Sequence, residues 1–163
     1  MNASFRRVRE QDLKRLNDIV NEPEVAVHLA LNRPVRMSDT RRFFEANRRA
    51  GTLWYGIWAG ELLVGSCSMA RGRKGTKIEH LAELGISIDF EHWGMGFGDA
   101  AMDHMVRVAK RLGLKRLELL VEERNLRAQA LYRRHGFTFE GVKRRGYRSG
   151  RRYYDMYLMG RLL

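Results

Sequence analysis

The sequence has little cysteine and proline and lacks long hydrophobic runs, and each shortage excludes a class of protein. One cysteine, Cys67, allows no internal disulfide and no cysteine-based zinc site. No apolar stretch approaches the ~20 residues of a membrane-spanning helix, so we expect no membrane partner. Residues 1–10 carry three arginines and no apolar segment, so we expect no secretory signal and a cytoplasmic location.

Acidic residues are scarce relative to basic ones. The chain has 31 Lys and Arg against 19 Asp and Glu, a formal net charge of +12. A surplus of this kind attracts anions such as nucleic acids, acidic membranes or phosphate-bearing small molecules. The segment 141–163 concentrates basic residues and interleaves them with tyrosines, which suits either single-stranded nucleic acid or a solvated face. Charge alone therefore names no function.

Hydrophobic periodicities of 2 and 3.6 residues alternate along the chain and predict one α/β (α+β) domain over residues 1–163. Segment 81–88 predicts a strand, 97–112 a helix and 116–121 a strand, a βαβ unit whose two strands are parallel. A helix over 39–49, starting at Ser38, directs Phe43 and Phe44 inward, and 143–152 is expected to be a loop. The remaining predicted strands are 4–8, 52–59, 61–70, 137–142 and 153–159, and the remaining helices are 12–20 and 125–135.

Three glycines stand between a predicted strand and the helix that follows it. Gly94, Gly96 and Gly98 have no Cβ, so a ligand can approach the backbone and the chain can adopt positive φ. The free N–H groups of the helix start add a partial positive charge. Tight packing of strand on helix would also account for the glycines, but a phosphate site explains better why they stand at a helix start, which glycine weakens.

Two common phosphate-binding motifs do not fit this turn. A dinucleotide fingerprint requires Gly-x-Gly-x-x-Gly, and Asp99 occupies the place of the third glycine. A Walker P-loop requires Gly-Lys-Ser or Gly-Lys-Thr, which the sequence lacks.

The residues 93–98, Trp-Gly-Met-Gly-Phe-Gly, resemble the pyrophosphate loop of the GNAT acyltransferase superfamily, Arg/Gln-x-x-Gly-x-Gly/Ala, with Trp93 departing from the usual Arg or Gln. The segment 125–137, Asn-Leu-Arg-Ala-Gln-Ala-Leu-Tyr-Arg-Arg-His-Gly-Phe, is similar to the family's Asn-x-x-Ala-x-x-Leu-Tyr-x-x-x-Gly-Phe. The last part of the chain resembles a bacterial branch that acetylates amino acids, polyamines or protein N-termini.

The resemblance implies a GNAT fold, with a mixed sheet of about six to seven strands, flanking helices and a splayed pair of parallel strands. It also implies acetyl-CoA as cosubstrate, with pantetheine between the splayed strands and pyrophosphate on the glycine loop. The residues expected to bind it are Ile86, Ser87, Ile88, Trp93, Gly94, Met95, Gly96, Phe97, Gly98, Asn125, Leu131 and Tyr132.

By the same resemblance, a neutral amine attacks the thioester directly, with no protein nucleophile. Tyr132 matches the family's tyrosine acid, which assists the departing thiolate. Glu83 matches a position from which family members supply a base, and burial beside the cosubstrate would raise its pKa; a structural or substrate-orienting carboxylate is equally open. Cys67 is expected to be a packed apolar residue. We expect no metal site, because the histidines and acids show no ligand spacing.

The sequence leaves the acceptor open. The expected function is acetylation of a primary amine, on an amino acid, a small amine or a protein N-terminus, and the basic balance disfavours polyamines. If arginines of segment 143–152 face the pocket, the acceptor carries a carboxylate. The alternative is a basic RNA- or ribosome-associated module without turnover, and the tyrosines of the terminal strand pair allow a homodimer.

Overall fold

The computed structural model describes residues 2–163, which form one seven-stranded mixed sheet in the order β1-β2-β3-β4-β5-β7-β6. The strands are β1 Ala3–Arg7, β2 Leu53–Ala59, β3 Leu62–Arg71, β4 Leu81–Ile88, β5 Arg116–Glu122, β6 Thr138–Ser149 and β7 Arg152–Leu162. The helices are α1 Leu13–Asn21, α2 Pro23–Ala26, α3 Met37–Ala50, α4 Phe97–Arg111 and α5 Leu126–Arg134.

The predicted βαβ unit is confirmed. β4 and β5 are parallel neighbours joined through α4, and every other neighbouring pair in the sheet is antiparallel. The two parallel strands pair over three residues, from Leu81 opposite Arg116 to Glu83 opposite Glu118. Beyond Glu83 they separate, as expected, and a gap opens toward their carboxyl ends.

The core lies between the sheet and α4, the longest helix. Its apolar face buries Phe97, Ala101, Met105 and Val108, which lie on one side of the helix. Cys67 on β3 is buried in the same core, as expected. This packing holds the first turn of α4 at the open end of the β4–β5 gap.

Two expectations from the sequence are wrong. Phe43 is 55% exposed and packs edge-on against Trp54, because α3 packs on α1 through a buried contact in which Asn17 donates to Thr40 at 2.8 Å. Segment 143–152 is not a loop, since β6 pairs with β7 again from Tyr147 to Ser149 after an irregularity that begins at Lys143.

Smaller differences concern the helix ends and the segment without a clear pattern. Ser38 lies inside α3 rather than capping it. Residues 23–35, where the sequence predicted no element, contain the single turn of α2 and then irregular chain. Across residues 2–163, no helix is both long and apolar enough to cross a membrane.

Candidate active site

The gap between β4 and β5 continues into a cavity of about 670 Å³. Its walls come from the carboxyl-terminal parts of both strands, the glycine loop, α5 and the chain after α2. Ten of the residues expected to bind the cosubstrate line it, namely Ile86, Ser87, Ile88, Trp93, Gly94, Gly96, Gly98, Asn125, Leu131 and Tyr132. The structure therefore brings the two sequence motifs together at one cavity.

The three glycines of the loop differ in what they make possible. Gly94 and Gly96 have φ of 76° and 84°, and a Cβ built on either would meet nothing within 4 Å. Their backbone is therefore open to a ligand in a conformation that side chains disfavour. Gly98 is explained by packing instead. A Cβ there would lie 3.1 Å from Leu131 Cδ2, where α4 and α5 approach each other.

Trp93 holds the loop in place. Its Nε1 donates to the carbonyl oxygen of Ile88 at 2.8 Å, which ties the loop to the end of β4. The guanidinium carbon of Arg127 lies 4.8 Å from the centre of the tryptophan ring, a cation–π contact. Arg127 also lines the cavity, so a cation from α5 lies beside the loop where the family's usual Arg or Gln is replaced by Trp93.

Side-chain hydrogen bonds hold the ends of α4 and α5 that border the cavity. Asn125 caps α5, since its side-chain oxygen accepts a hydrogen bond from Ala128 N at 3.0 Å. Asp99 in the first turn of α4 accepts hydrogen bonds from Arg134 and His135 at 3.0 Å. Burial alone would raise the pKa of Asp99, but these two partners outweigh it and hold the pKa below its usual range. The contact fastens the start of α4 to the end of α5.

Tyr132 is buried and lines the cavity one residue after Leu131. Its ring packs against that of Phe137, with centroids 6.1 Å apart. Burial raises the pKa of Tyr132 above its ordinary value of about 10. The hydroxyl therefore stays protonated at neutral pH and is available as a hydrogen-bond donor.

A buried carboxylate at the end of β5 also lines the cavity. The Glu122 side chain is 2% exposed and divides its oxygens between two partners. Arg124 Nε donates to Oε1 at 2.6 Å, and His28 Nδ1 lies 3.2 Å from Oε2. Burial alone would raise the pKa of Glu122, but the neighbouring Tyr147, Arg124 and His28 outweigh it and hold the pKa below its ordinary value.

Three of the predicted site residues do not line the cavity. Glu83, the candidate base, has an exposed side chain at the last register position where β4 still pairs with β5. Met95 is 47% exposed on the outside of the loop, and Phe97 is buried in the core under α4. For these two, the backbone rather than the side chain remains available to a ligand.

His28 and Glu122 are two of the cavity residues that were not among the predicted site residues. Residues 23–35 show no clear periodicity, so no predicted helix or strand gave His28 a position. Glu122 stands one residue beyond the predicted end of its strand. The one available signal was a glutamate at the carboxyl end of a parallel strand, where ligands bind in open α/β sheets.

Neither a metal nor a cysteine nucleophile is indicated by the described part of the chain. Within residues 2–163, no three His, Cys, Asp or Glu side chains are grouped to hold a metal ion. Burial raises the pKa of Cys67 to about 12, so its thiol is not ionised at neutral pH.

Comparison with known proteins identifies the family. The model of the acetyltransferase (GNAT) domain matches residues 3–138. The chain therefore belongs to the GNAT acetyltransferase family, as its loop and α5 motifs suggested. The family is one of acetyltransferases, so acetyl transfer is the class of reaction that it indicates.

A curated relative matches only part of the chain. The L-amino acid N-acetyltransferase AaaT of Escherichia coli K12 is 34% identical over 85 residues, which are 51% of this chain and 52% of that protein. The match thus spans about half the length of this curated relative.

Solved structures share the fold over nearly the whole chain. A GNAT phosphinothricin acetyltransferase from Sinorhizobium meliloti, in complex with acetyl-CoA, has a TM-score of 0.87 at 22% identity, covering 100% of this chain and 89% of that one. A ribosomal-protein-alanine N-acetyltransferase from Brucella melitensis has a TM-score of 0.85 at 23% identity, covering 98% and 99%. These likenesses confirm the predicted GNAT fold.

Proposed function

We propose that the protein transfers the acetyl group of acetyl-CoA to a primary amine by direct attack of the amine on the thioester. The observation that carries this proposal is the open backbone at Gly94 and Gly96, in front of the first turn of α4 and beside the parted strands. A diphosphate fits the free N–H groups of such a helix start.

The cosubstrate site fits the residues that line the cavity. Ile86, Ser87 and Ile88 lie where β4 has left β5, so backbone groups on that edge are free to pair with pantetheine amides. The N–H groups from Gly94 to Gly98 hold the pyrophosphate, and Arg127 adds a positive charge nearby. When bound, acetyl-CoA supplies the activated acetyl group for transfer.

Tyr132 assists departure of the sulfur. A coenzyme A thiol has a pKa near 8.5, below that of a buried tyrosine, so full proton transfer from Tyr132 alone is uphill. We therefore assign to Tyr132 the donation of a hydrogen bond to the sulfur as negative charge develops there. The proton that the nitrogen loses on amide formation then reaches the sulfur as the C–N bond forms and the C–S bond breaks.

The acceptor is a small primary amine, an amino acid or a peptide N-terminus. Arg127 and Arg134 line the cavity, and a formal charge of +12 repels a polycationic polyamine, so we place polyamines last. The basic side chains of 143–152 do not line the cavity, so they give no support to a carboxylate-bearing acceptor. The homodimer, the single-domain organisation and the cytoplasmic location stay predictions.

A thiol-release assay over a panel of amines tests the proposal. The panel contains an amino acid, its amide, a short peptide and spermidine, each with acetyl-CoA. We expect release with at least one α-amine at a rate above that with spermidine. The proposed acetyltransferase activity would be contradicted by two results together. One is that no amine gives thiol release, and the other is that acetyl-CoA at a hundredfold excess over a micromolar Kd does not stabilise the protein against heat.

One observation favours a second candidate, a nucleic-acid-binding module. Around the turn between β6 and β7 the side chains of six basic residues are exposed, and these are Lys143, Arg144, Arg145, Arg148, Arg151 and Arg152. Such a cluster suits a phosphate backbone. It does not exclude the enzyme, because the cluster does not line the cavity.

A further inference from the structure

The cavity wall contains a histidine–carboxylate pair with no role in the steps above. His28 follows α2, and its side chain is 29% exposed, whereas that of Glu122 is 2% exposed. Both residues line the cavity that also contains Tyr132. They are far apart in sequence and come together where the chain after α2 meets the end of β5.

The carboxylate sets the orientation of the imidazole. Because an ionised carboxylate only accepts hydrogen bonds, the hydrogen of the neutral ring lies on Nδ1, facing Glu122 Oε2 at 3.2 Å. Nε2 then carries the lone pair. The ring lies beside the glycine loop, with its centroid 6.2 Å from that of Trp93. A partly exposed nitrogen base therefore stands between the buried carboxylate and the loop.

The Glu122 carboxylate is held by a partner at each of its two oxygens. Arg124 occupies Oε1 and leaves Oε2 to His28. This division of partners fixes the direction of the hydrogen bond to the ring and keeps the negative charge at the imidazole. A nucleophile or substrate that is activated by a base oriented by a third group is a recurrent arrangement in enzymes.

We propose that His28 is the general base that deprotonates the acceptor ammonium, and that Glu122 is its positioning residue. This inference rests on the proposed function. Nε2 takes one proton from the ammonium, the imidazolium is stabilised by Glu122, and the proton then leaves to solvent. The neutral amine forms the C–N bond, and the second proton lost by the nitrogen is the one that ends on the thiol.

The sequence-based candidate, Glu83, is less well placed for this step. Its side chain is exposed and lies outside the cavity lining, before the strands part. His28 and Tyr132 both line the cavity, whereas Glu83 does not. The other charged or titratable groups that line it are His92, Asp99, Arg127 and Arg134, and Arg124 and Tyr147 lie against Glu122.

Four variants test the proposal by the pH dependence of thiol release. His28→Asn removes the base, Glu122→Gln removes the charge but keeps the shape, and Glu83→Gln tests the rival base. His80→Asn is the matched control, an exposed histidine outside the cavity. We expect His28→Asn to lower kcat about 10²-fold with the Kd for acetyl-CoA within threefold of wild type. His80→Asn and Glu83→Gln should stay near wild type.

Glu122→Gln should lower kcat while the Kd for acetyl-CoA stays within threefold of wild type, because the Nδ1 hydrogen of His28 is no longer held by a carboxylate. A merely structural role for Glu122 would raise the Kd for acetyl-CoA together with the loss of activity. If His28→Asn keeps kcat/KM within threefold at every pH while Glu83→Gln loses it, Glu83 is the base and our proposal is wrong.

A readout without acetyl-CoA separates this inference from the proposed function. Nitrogen NMR of the free protein at pH 8 should show the His28 ring protonated at Nδ1, and Glu122→Ala should shift the ring toward the Nε2 tautomer. A wild-type ring protonated at Nε2 would overturn the pair, whether or not the protein releases thiol. Thiol release with an Nε2 tautomer would therefore leave the acetyltransferase standing and remove His28 as the oriented base.

Discussion

Tyr132 and Cys67 are both buried reactive side chains, but only Tyr132 lines the cavity. Burial raises the pKa of each, and the consequences differ. For a nucleophile a raised pKa removes the reactive thiolate, whereas for a hydrogen-bond donor it keeps the proton in place. The same burial therefore makes Cys67 unreactive as a nucleophile and leaves Tyr132 able to donate a hydrogen bond.

Replacement of Tyr132 by Phe should slow the reaction with little effect on binding. The ring keeps its contact with Phe137, and only the donor to the departing sulfur is lost. Loss of one such donor typically lowers kcat by about 10²–10³-fold. Steady-state kinetics and the Kd for acetyl-CoA provide the measurement, with Tyr153→Phe, an exposed tyrosine outside the cavity, as the control. Equal kcat values in both variants would exclude a role for the hydroxyl.

Sequence patterns located some of these residues and not others, for a physical reason. Tyr132 and Asn125 belong to one contiguous segment of α5, so the resemblance of that segment to the family's motif indicated both. His28 and Glu122 meet only through the tertiary fold. Glu83 was chosen by the resemblance to a position that supplies a base in the family. Local sequence does not show where two parallel strands part, and the Glu83 side chain is exposed before that point.

At the scale of elements, the ranges of β4 and α4, which flank the glycine loop, were predicted better than those of β6 and β7. The predicted range of β4 and the start of α4 at Phe97 agree with the structure, because a short apolar strand and an amphipathic helix are strong patterns. The β6–β7 hairpin was predicted too short, since its exposed, arginine-rich residues lack the alternation of a half-buried strand.

Gly96→Ala should weaken acetyl-CoA binding beyond its cost in stability. Both Gly96 and Gly51, which ends α3, have positive φ and open space at the Cβ position. A left-handed non-glycine residue costs roughly 1–2 kcal/mol, so both alanine variants should lose similar stability in urea unfolding. Only Gly96→Ala should raise the Kd for acetyl-CoA, by tenfold or more. Similar Kd values for both variants would show that the loop does not contact the diphosphate.

At the scale of the whole molecule, the positive charge has two components. Some of it lies at the cavity, on Arg127 and Arg134, where it suits an anionic cosubstrate. Another part surrounds the turn of the β6–β7 hairpin, away from the cavity lining. A general field would attract any polyanion equally from all sides, whereas a local cluster would concentrate phosphate contacts on the hairpin.

Replacing three hairpin arginines distinguishes these possibilities. Arg148, Arg151 and Arg152 changed to Gln should flatten the fall of single-stranded RNA affinity with salt, since each phosphate contact contributes about 0.7 to the slope. The control changes three exposed cations of α4 to Gln, namely Arg107, Lys110 and Arg111, and so removes the same charge. We expect the hairpin variant alone to lose slope while both keep wild-type thiol release, because neither set lines the cavity. Equal loss of slope in both variants would instead assign RNA binding to the general field.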